Sequence, residues 1–252
     1  MNYKHFYFLI IINVLFGCRS ESQLTRIEGS RLEINDSLND VPAIENFVAP
    51  YREHVNSNLD SVISYAPKTY SKTDGELNTA IGNLLVEAVY EQGNPIFKSR
   101  TGNDIDVVLL NHGGIRSIIS EGDITKRSVY KILPFENILV VVKLKGIIMH
   151  ELIDYLIKAE RANPIGGLKI KVDQEFNLLE ATINGEAIED DKSYYVVTYD
   201  YLYYGGGNMD EFLQKGDSLY VLDYKVRNAL MDYFMKTDTI NPVIDDRFIK
   251  VN

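Results

Sequence analysis

One short loop carries side chains suited to holding an anionic ligand. Asn-His-Gly-Gly-Ile-Arg at 111–116 follows the apolar run Ile105 to Leu110. Adjacent glycines allow the backbone to approach a ligand closely, and the Arg116 guanidinium can bind a phosphate or a carboxylate with paired hydrogen bonds. Asn111 adds an amide group that both donates and accepts. The alternative is an ordinary tight turn with a solvated arginine.

Two further segments place aromatic rings beside turn-forming residues. In Leu-Pro-Phe-Glu-Asn at 133–137, Phe135 lies between a proline and an acidic residue, an unusual position for a core aromatic. In the segment 200–208, three tyrosines adjoin three glycines. Aromatic faces in such loops can stack on a base or a sugar. The alternatives are a phenylalanine that covers the next strand, and a hairpin connection whose tyrosines pack on the sheet.

The residue sets needed for self-sufficient catalysis are missing from the sequence. Its four histidines are scattered, whereas a two-metal phosphoesterase centre needs a dense set of His, Asp and Asn ligands. The sequence also lacks a P-loop, a dinucleotide-binding fingerprint and a Gly-x-Ser-x-Gly elbow. His-Glu-Leu-Ile-Asp at 150–154 lacks the second histidine of the zinc-protease motif, so we interpret it as the polar side of a helix. We therefore expect no catalytic residue, metal or other cofactor in this chain.

Composition narrows the class of protein. The chain has 252 residues, of which 45% are hydrophobic and 25% charged, so a disordered or fibrous protein is excluded. Its formal net charge of −10 argues against nucleic acid as a partner, because binding phosphates needs clustered Lys and Arg. The single cysteine, Cys18, excludes an internal disulfide framework and a Cys-rich zinc site.

The N-terminal segment is typical of a bacterial export signal. Phe6 to Phe16 is apolar apart from one asparagine, and at about 16 Å as a helix it is too short to span a bilayer. Gly17 before Cys18 resembles a lipobox, which predicts lipidation of Cys18; the alternative is an ordinary signal peptide that contains a cysteine. The protein would then be extracytoplasmic and lipid-anchored to a bacterial membrane, in the periplasm or at the cell surface. We expect a signal peptide over 1–17, a lipid-anchor tether over 18–42 and one domain over 43–252.

Hydrophobic periodicity places the motifs on a mixed set of elements. Helices are predicted at 43–60, 76–91, 125–132, 147–158 and 224–235. Strands are predicted at 105–110, 138–144, 168–172, 194–202 and 243–251, with a hairpin in 178–188 around Asn184-Gly185. Pro50 should bend or interrupt the first helix. Without strict βαβ alternation, the order favours the α+β class: a single mixed α/β domain with an N-terminal helix and tether.

In their order along the chain, four motifs resemble the C-terminal, substrate-binding domain of the 5′-nucleotidase family. They are Asn-His-Gly-Gly-Ile-Arg at 111–116, Glu-Gly-Asp-Ile-Thr at 121–125, Leu-Pro-Phe-Glu-Asn at 133–137 and the segment from Tyr201 to Gly206. The similarity covers roughly residues 65–250. Members of the family usually add an N-terminal metallophosphoesterase domain that holds two metal ions and the catalytic histidine. Only the second domain resembles this chain, so the resemblance implies a separate metallophosphoesterase that would carry the divalent metals.

The resemblance implies a substrate-binding role for six residues: Asn111, Arg116, Phe135, Asn137, Gly167 and Tyr201. Phe135 and Tyr201 would sandwich the base, and Asn137 would form a hydrogen bond near it. Asn111 and Arg116 would face the sugar and the phosphate.

Four glycines occupy positions that matter for the resemblance to the family. Gly167 would keep the pocket floor low, with Gly166 as the alternative. Gly207 stands where the family usually has an aspartate that bonds the ribose hydroxyls, and Gly75 where it often has an arginine. A lost hydrogen bond to a carboxylate costs about 1.5–3 kcal/mol, so the ligand would be weaker, different or absent unless Asp210 substitutes.

Three functional hypotheses follow from the resemblance. In the first, the chain is the nucleotide- or nucleoside-recognition part of an extracytoplasmic 5′-nucleotidase-type phosphohydrolase of nucleotide catabolism, and acts with a separate metallophosphoesterase chain. In the second, it is a non-catalytic nucleoside- or nucleotide-binding lipoprotein. In the third, it keeps the fold without the pocket and serves as an interaction surface.

Overall fold

The computed structural model describes Tyr3, Leu24, residues 26–35 and residues 37–251. Cys18 lies outside the described residues, as does the predicted signal peptide apart from Tyr3. The chain divides into two units, Met1–Ala49 and Pro50–Asn252. Every predicted substrate-binding residue belongs to the second unit. The predicted boundaries at 17 and 42 stay predictions.

Seven α-helices occur in the described part of the chain: α1 (Pro42–Leu59), α2 (Ala80–Thr101), α3 (Lys126–Ile132), α4 (Gly146–Ala159), α5 (Asp200–Tyr203), α6 (Asp210–Leu213) and α7 (Val226–Lys236). Two 3-10 helices cover His112–Gly114 and Gly206–Asn208. Among these described segments, no helix has both the length and the apolarity needed to cross a membrane.

Eleven strands accompany them: β1 (Val62–Ala66), β2 (Val107–Leu109), β3 (Gly122–Thr125), β4 (Ile138–Lys145), β5 (Ile165–Gly166), β6 (Leu168–Val172), β7 (Leu178–Ile183), β8 (Glu186–Ala187), β9 (Ser193–Tyr199), β10 (Ser218–Lys225) and β11 (Phe248–Lys250). They form a β1–β3 pair, a five-stranded sheet in the order β10-β4-β9-β2-β5 and a four-stranded sheet in the order β11-β6-β7-β8. The central sheet is mixed, because β2 runs parallel to β9 whereas β4 runs antiparallel to it.

The buried core explains why the central elements form. Four residues of β4, Leu139 to Val142, are at most 1% exposed, since this strand is covered on both faces. Helix α2 begins where the Thr79 hydroxyl accepts a hydrogen bond from the Gly82 N–H at 3.2 Å. Its length is supported by tertiary packing, because Phe97 near its end is fully buried.

The mixed architecture confirms the predicted α+β class, although several predicted boundaries are wrong. Helix α2 starts at Ala80 and runs on to Thr101, and α1 continues through Pro50 without interruption. The strand predicted over 194–202 ends at Tyr199. The strand predicted over 243–251 covers only Phe248–Lys250. Strands β1, β3 and β10 were not predicted, since their burial patterns lack a clear alternation. The Asn184-Gly185 hairpin is confirmed, and both turn residues have positive φ.

Candidate functional site

The topology of the central sheet brings three loops to one edge. Strands β2 and β9 are parallel, so the loops that follow Leu109 and Tyr199 leave the sheet on the same side. Strand β4 is antiparallel to β9 and pairs Leu139 with Tyr199, so the loop that precedes β4 reaches that side too. The motifs 111–116, 133–137 and 200–208 therefore meet in space, although the sequence separates them widely.

The first loop is shaped by Asn111. Its side-chain Oδ1 accepts a hydrogen bond from the Gly114 N–H at 3.1 Å and caps the 3-10 helix His112–Gly114. The Tyr199 hydroxyl donates to the same oxygen. With Oδ1 engaged twice, the amide Nδ2 of Asn111 makes no hydrogen bond within the described residues. It is the group that this side chain can offer to a ligand acceptor.

The other two loops each present an exposed aromatic ring. Phe135 is 45% exposed and Tyr201 is 54% exposed, so each ring has a face that a ligand can reach. Oδ1 of Asp200 connects the two loops, because it accepts from Ile138 N–H at 3.1 Å and from Tyr201 N–H at 2.8 Å. The carboxylate of Asp200 thus fixes the backbone beside Asn137 against the backbone of Tyr201.

Five of the six predicted residues line one cavity of about 260 Å³. Its lining residues are Asn111, Gly113, Gly114, Arg116, Phe135, Asn137, Tyr199 and Tyr201. The volume is just below the range of roughly 300–1,000 Å³ that is usual for drug-sized ligands, so it suits a base or a nucleoside.

The charge of the cavity lining comes from one residue. Among its described lining residues, Arg116 is the only charged side chain. Its Cζ lies 5.9 Å from the centroid of the Phe135 ring, and its Nη1 donates to Gly113 O at 3.4 Å. Arg116 is exposed, so most of its donors remain available for an anionic group at the edge of the cavity.

Gly167, the sixth predicted residue, does not line this cavity, and neither does Gly166. Both lie at a second cavity of about 690 Å³. A Cβ on Gly167 would fall 2.0 Å from Asp106 O, and one on Gly166 would fall 2.2 Å from Val86 Cγ1. These glycines allow close backbone packing between β2, β5 and α2, which the motif alone did not reveal.

The two positions that depart from the family have their own structural reasons. A Cβ on Gly75 would lie 2.0 Å from Asn78 O, so this backbone excludes an arginine there. Gly207 has a φ of +67°, a backbone conformation that favours glycine. Its carbonyl accepts a hydrogen bond from the Tyr155 hydroxyl at 2.8 Å. Asp210 approaches Gly205, with its Cγ 3.9 Å from where a Cβ would stand.

The lining residues can bind and orient a ligand but include no carboxylate and no histidine. Tyr199 is 3% exposed, and burial raises the pKa of its hydroxyl, which therefore stays protonated and is a poor base at neutral pH. His112 adjoins the cavity wall, and burial lowers its pKa, with Lys72 adding to the effect. Within the described part of the chain, no group of three or more His, Cys, Asp or Glu side chains could hold a metal ion.

Two residues of the site escaped the sequence analysis. Tyr199 was interpreted only as part of a strand, and Asp200 only as part of the tyrosine-rich loop. The signal for Tyr199 lay in the topology, since its side chain reaches Asn111 only because β9 is beside β2. The local sequence pattern of β9 predicts neither the strand that pairs with it nor the register of that pairing.

Comparison with known proteins points to one family. The model of the family described as 5′-nucleotidase, C-terminal domain, matches residues 60–214. Protein UshA of Salmonella pullorum is 35% identical over 114 residues, which are 43% of this chain and 20% of that protein. Cell wall protein Lmo0130 of Listeria monocytogenes is 28% identical over 166 residues, which are 60% of this chain and 20% of that protein. The matches thus confirm the resemblance seen in the motifs, over a small part of these longer relatives.

Solved structures share the fold. A 5′-nucleotidase precursor from Thermus thermophilus superposes with a TM-score of 0.68 at 21% identity, covering 82% of this chain and 43% of that chain. The NAD nucleotidase of Haemophilus influenzae superposes with a TM-score of 0.62 at 16% identity, covering 84% and 42%. This chain therefore spans less than half the length of these solved proteins.

Proposed function

The chain belongs to the 5′-nucleotidase C-terminal domain family, and from this premise we propose that it recognises nucleotides or nucleosides for an extracytoplasmic phosphohydrolase. The observation that carries the proposal is the cavity in which Phe135, Tyr201, Asn111, Asn137 and Arg116 converge. Such a set combines stacking surfaces for a base with amide and guanidinium donors, which are the contacts that a nucleotide needs.

Each side chain has a distinct task in this proposal. The exposed faces of Phe135 and Tyr201 stack on the base. The Asn137 amide forms a hydrogen bond near the base, and Nδ2 of Asn111, which can only donate, faces the sugar. Arg116 holds the phosphate at the edge of the cavity.

Hydrolysis in this scheme is assigned to a second chain. The described lining residues include no carboxylate and no histidine that could act as a base for phosphate transfer. We therefore propose a separate metallophosphoesterase that supplies the metal-activated hydroxide, while this chain presents the nucleotide. Affinity purification from the native membrane tests this: a metallophosphatase should co-purify, and a stringent purification that never yields one argues against the partner.

The second candidate is a nucleoside- or nucleotide-binding lipoprotein that works without any hydrolase. It needs the same binding residues and is equally consistent with a described lining that has no carboxylate and no histidine. Both candidates place the protein outside the cytoplasm, anchored through Cys18. The relative called a cell wall protein supports that location.

Titration calorimetry on the full chain in detergent tests nucleotide recognition directly. Adenosine and AMP should both bind, and Phe135→Ala should weaken both by about 5- to 100-fold, as expected for one stacked base. Arg116→Ala should weaken AMP about 10- to 100-fold and spare adenosine. Tyr204→Ala is the matched control, since that ring is 69% exposed and outside the cavity lining. Absence of heat with every nucleotide and nucleoside would favour the interaction-surface hypothesis instead.

A further inference from the structure

Arg227 is a buried cation at a position where a helix disfavours positive charge. It is the second residue of α7 and only 5% exposed. The first turn of α7 contains no acidic residue, although the N-terminal end of a helix dipole attracts negative charge. Burial of a guanidinium also costs free energy unless partners replace its water. Natural sequences tolerate such local conflicts most often where a site depends on them.

The contacts of Arg227 lead to the loop that holds Phe135. Its Nη2 donates to Oε1 of Glu136, and its Nη1 lies 3.4 Å from Pro134 O and 3.5 Å from Phe135 O. Its Cζ stands 4.2 Å from the centroid of the Tyr130 ring, at the end of α3 that leads into the loop. One side chain thus touches both the helix before the loop and three of its consecutive residues.

Neighbouring groups reinforce this connection. The N–H of Val226 donates to Asn137 O at 3.0 Å, so the start of α7 also fixes the far end of the loop. The Lys225 ammonium shares the Glu136 carboxylate with Arg227. These two cations hold the pKa of Glu136 down to about 2, Lys225 contributing first, so the carboxylate stays ionised at physiological pH.

The buried Leu133 holds the start of the loop and the Asp200 carboxylate holds its end, whereas residues 134–136 between them are exposed. Residues 133–137 have no regular secondary structure, and the Phe135 ring is too exposed to be fixed by packing. An aromatic stacking surface loses affinity when its ring must be ordered on binding. We propose that Arg227 is a positioning residue, which holds the 133–137 loop so that the Phe135 ring is preorganised to stack on the base. This rests on the proposed function, in which Phe135 binds a nucleobase.

A fluorescent reporter tests the positioning without any ligand. The chain contains no tryptophan, so Phe135→Trp introduces a single indole at the stacking position. Adding Arg227→Met should lower the steady-state anisotropy of that indole, because methionine keeps an unbranched apolar side chain but lacks the guanidinium group that binds the loop. With Arg227→Lys in place of Arg227→Met, the anisotropy should lie between the values of Phe135→Trp alone and of the methionine double variant. An ammonium can bind Glu136 but cannot bind the backbone carbonyls at the same time.

Affinity supplies the second readout. Arg227→Met alone should weaken adenosine at least 10-fold, whereas the same change in a Phe135→Ala background should add less than about threefold. Arg247→Met is the matched control: its guanidinium is also largely buried and bound to Asp245 and to Ile165 O, and none of these residues lines the cavity. It should lower thermal stability and leave both anisotropy and affinity unchanged.

The outcomes separate this proposal from the proposed function. Unchanged anisotropy in Arg227→Met overturns the positioning role, as does an equal loss of affinity in Arg247→Met. Independent losses from Arg227→Met and Phe135→Ala also overturn it. If the wild-type chain binds no nucleoside, the proposed function fails, and the anisotropy experiment still decides whether Arg227 orders the loop.

Discussion

The Tyr199 hydroxyl and the Gly114 N–H both donate to Oδ1 of Asn111. This arrangement fixes the orientation of the Asn111 amide and leaves Nδ2 as a donor with no hydrogen bond within the described residues. The orientation of this amide therefore depends on a buried tyrosine that comes from a different strand.

Tyr199→Phe should relax that orientation. Removing the buried hydroxyl should lower the free energy of unfolding by about 0.5–1.5 kcal/mol, measured by chemical denaturation. Affinity for adenosine should fall, because the Asn111 amide can then rotate. Tyr204→Phe removes an exposed hydroxyl and should change neither quantity. A Tyr199→Phe protein with wild-type affinity would show that Asn111 does not depend on this hydrogen bond.

The sequence motifs predicted the three loops that line the cavity, but not how these loops meet. The motifs around Asn111, Phe135 and Tyr201 contain local signals, namely adjacent glycines and aromatic residues at chain turns. Their convergence depends on β2 pairing with β9, and no local pattern encodes pairing between segments so distant in the chain.

The role of a glycine is also only partly predictable from the sequence. A glycine at a strand end predicts a close approach, but the partner of that approach is set by the fold. Gly167 was interpreted from the family as a pocket residue, whereas its neighbour in the structure is the Asp106 carbonyl. The same holds for Arg227, whose importance is visible only once α7 is placed beside the 133–137 loop.

Gly206→Ala should disable the site through Tyr201. A Cβ at this position would lie 2.3 Å from Cε1 of the Tyr201 ring, so the ring must move. We expect at least a tenfold loss of adenosine affinity by calorimetry, consistent with the loss of one stacking contact. Gly93→Ala is the control, because its nearest neighbours would be 3.7 Å away and the change lies within α2. It should keep the affinity and slightly stabilise the helix. Equal affinity in the two variants would exclude Tyr201 from the binding surface.

Selectivity for ribose should be weak in this chain. Gly207 has no side chain to bond the sugar hydroxyls, so adenosine and 2′-deoxyadenosine should bind within about threefold of each other. Gly207→Asp should create a preference for adenosine, although its positive φ makes the variant less stable. Comparison of the two ligands by calorimetry checks this. A strong ribose preference in the wild type would indicate that another group, such as Asp210, replaces the carboxylate.

Membrane attachment should depend on Cys18. Cys18→Ser removes the only thiol that could be acylated, so the protein should move from the detergent phase to the aqueous phase in a phase-partition assay. Mass spectrometry of the wild type should show the acyl groups on this residue. Retention of Cys18→Ser in the detergent phase would contradict the lipid anchor, whatever the ligand of the domain.

Stability should fall in mild acid because of His112. Burial and the neighbouring charge of Lys72 lower its pKa below the ordinary value of 6.5, while the Ala162 carbonyl partly opposes them. Below pH 6.5 the unfolded chain takes up the proton first. The free energy of unfolding therefore decreases as the pH falls from 6.5 towards the lower pKa of the folded protein.

The His112→Gln variant isolates this contribution. Its melting temperature should fall less than that of the wild type between about pH 7.5 and about pH 5, since the glutamine does not titrate. His150→Gln, which replaces a histidine outside this region, is the control for the substitution itself. Because His112 follows Asn111 directly, adenosine affinity should decline over the same pH range in the wild type and be flatter in His112→Gln. If the melting temperatures of the wild type and His112→Gln decrease equally with falling pH, acid destabilises the fold through other groups.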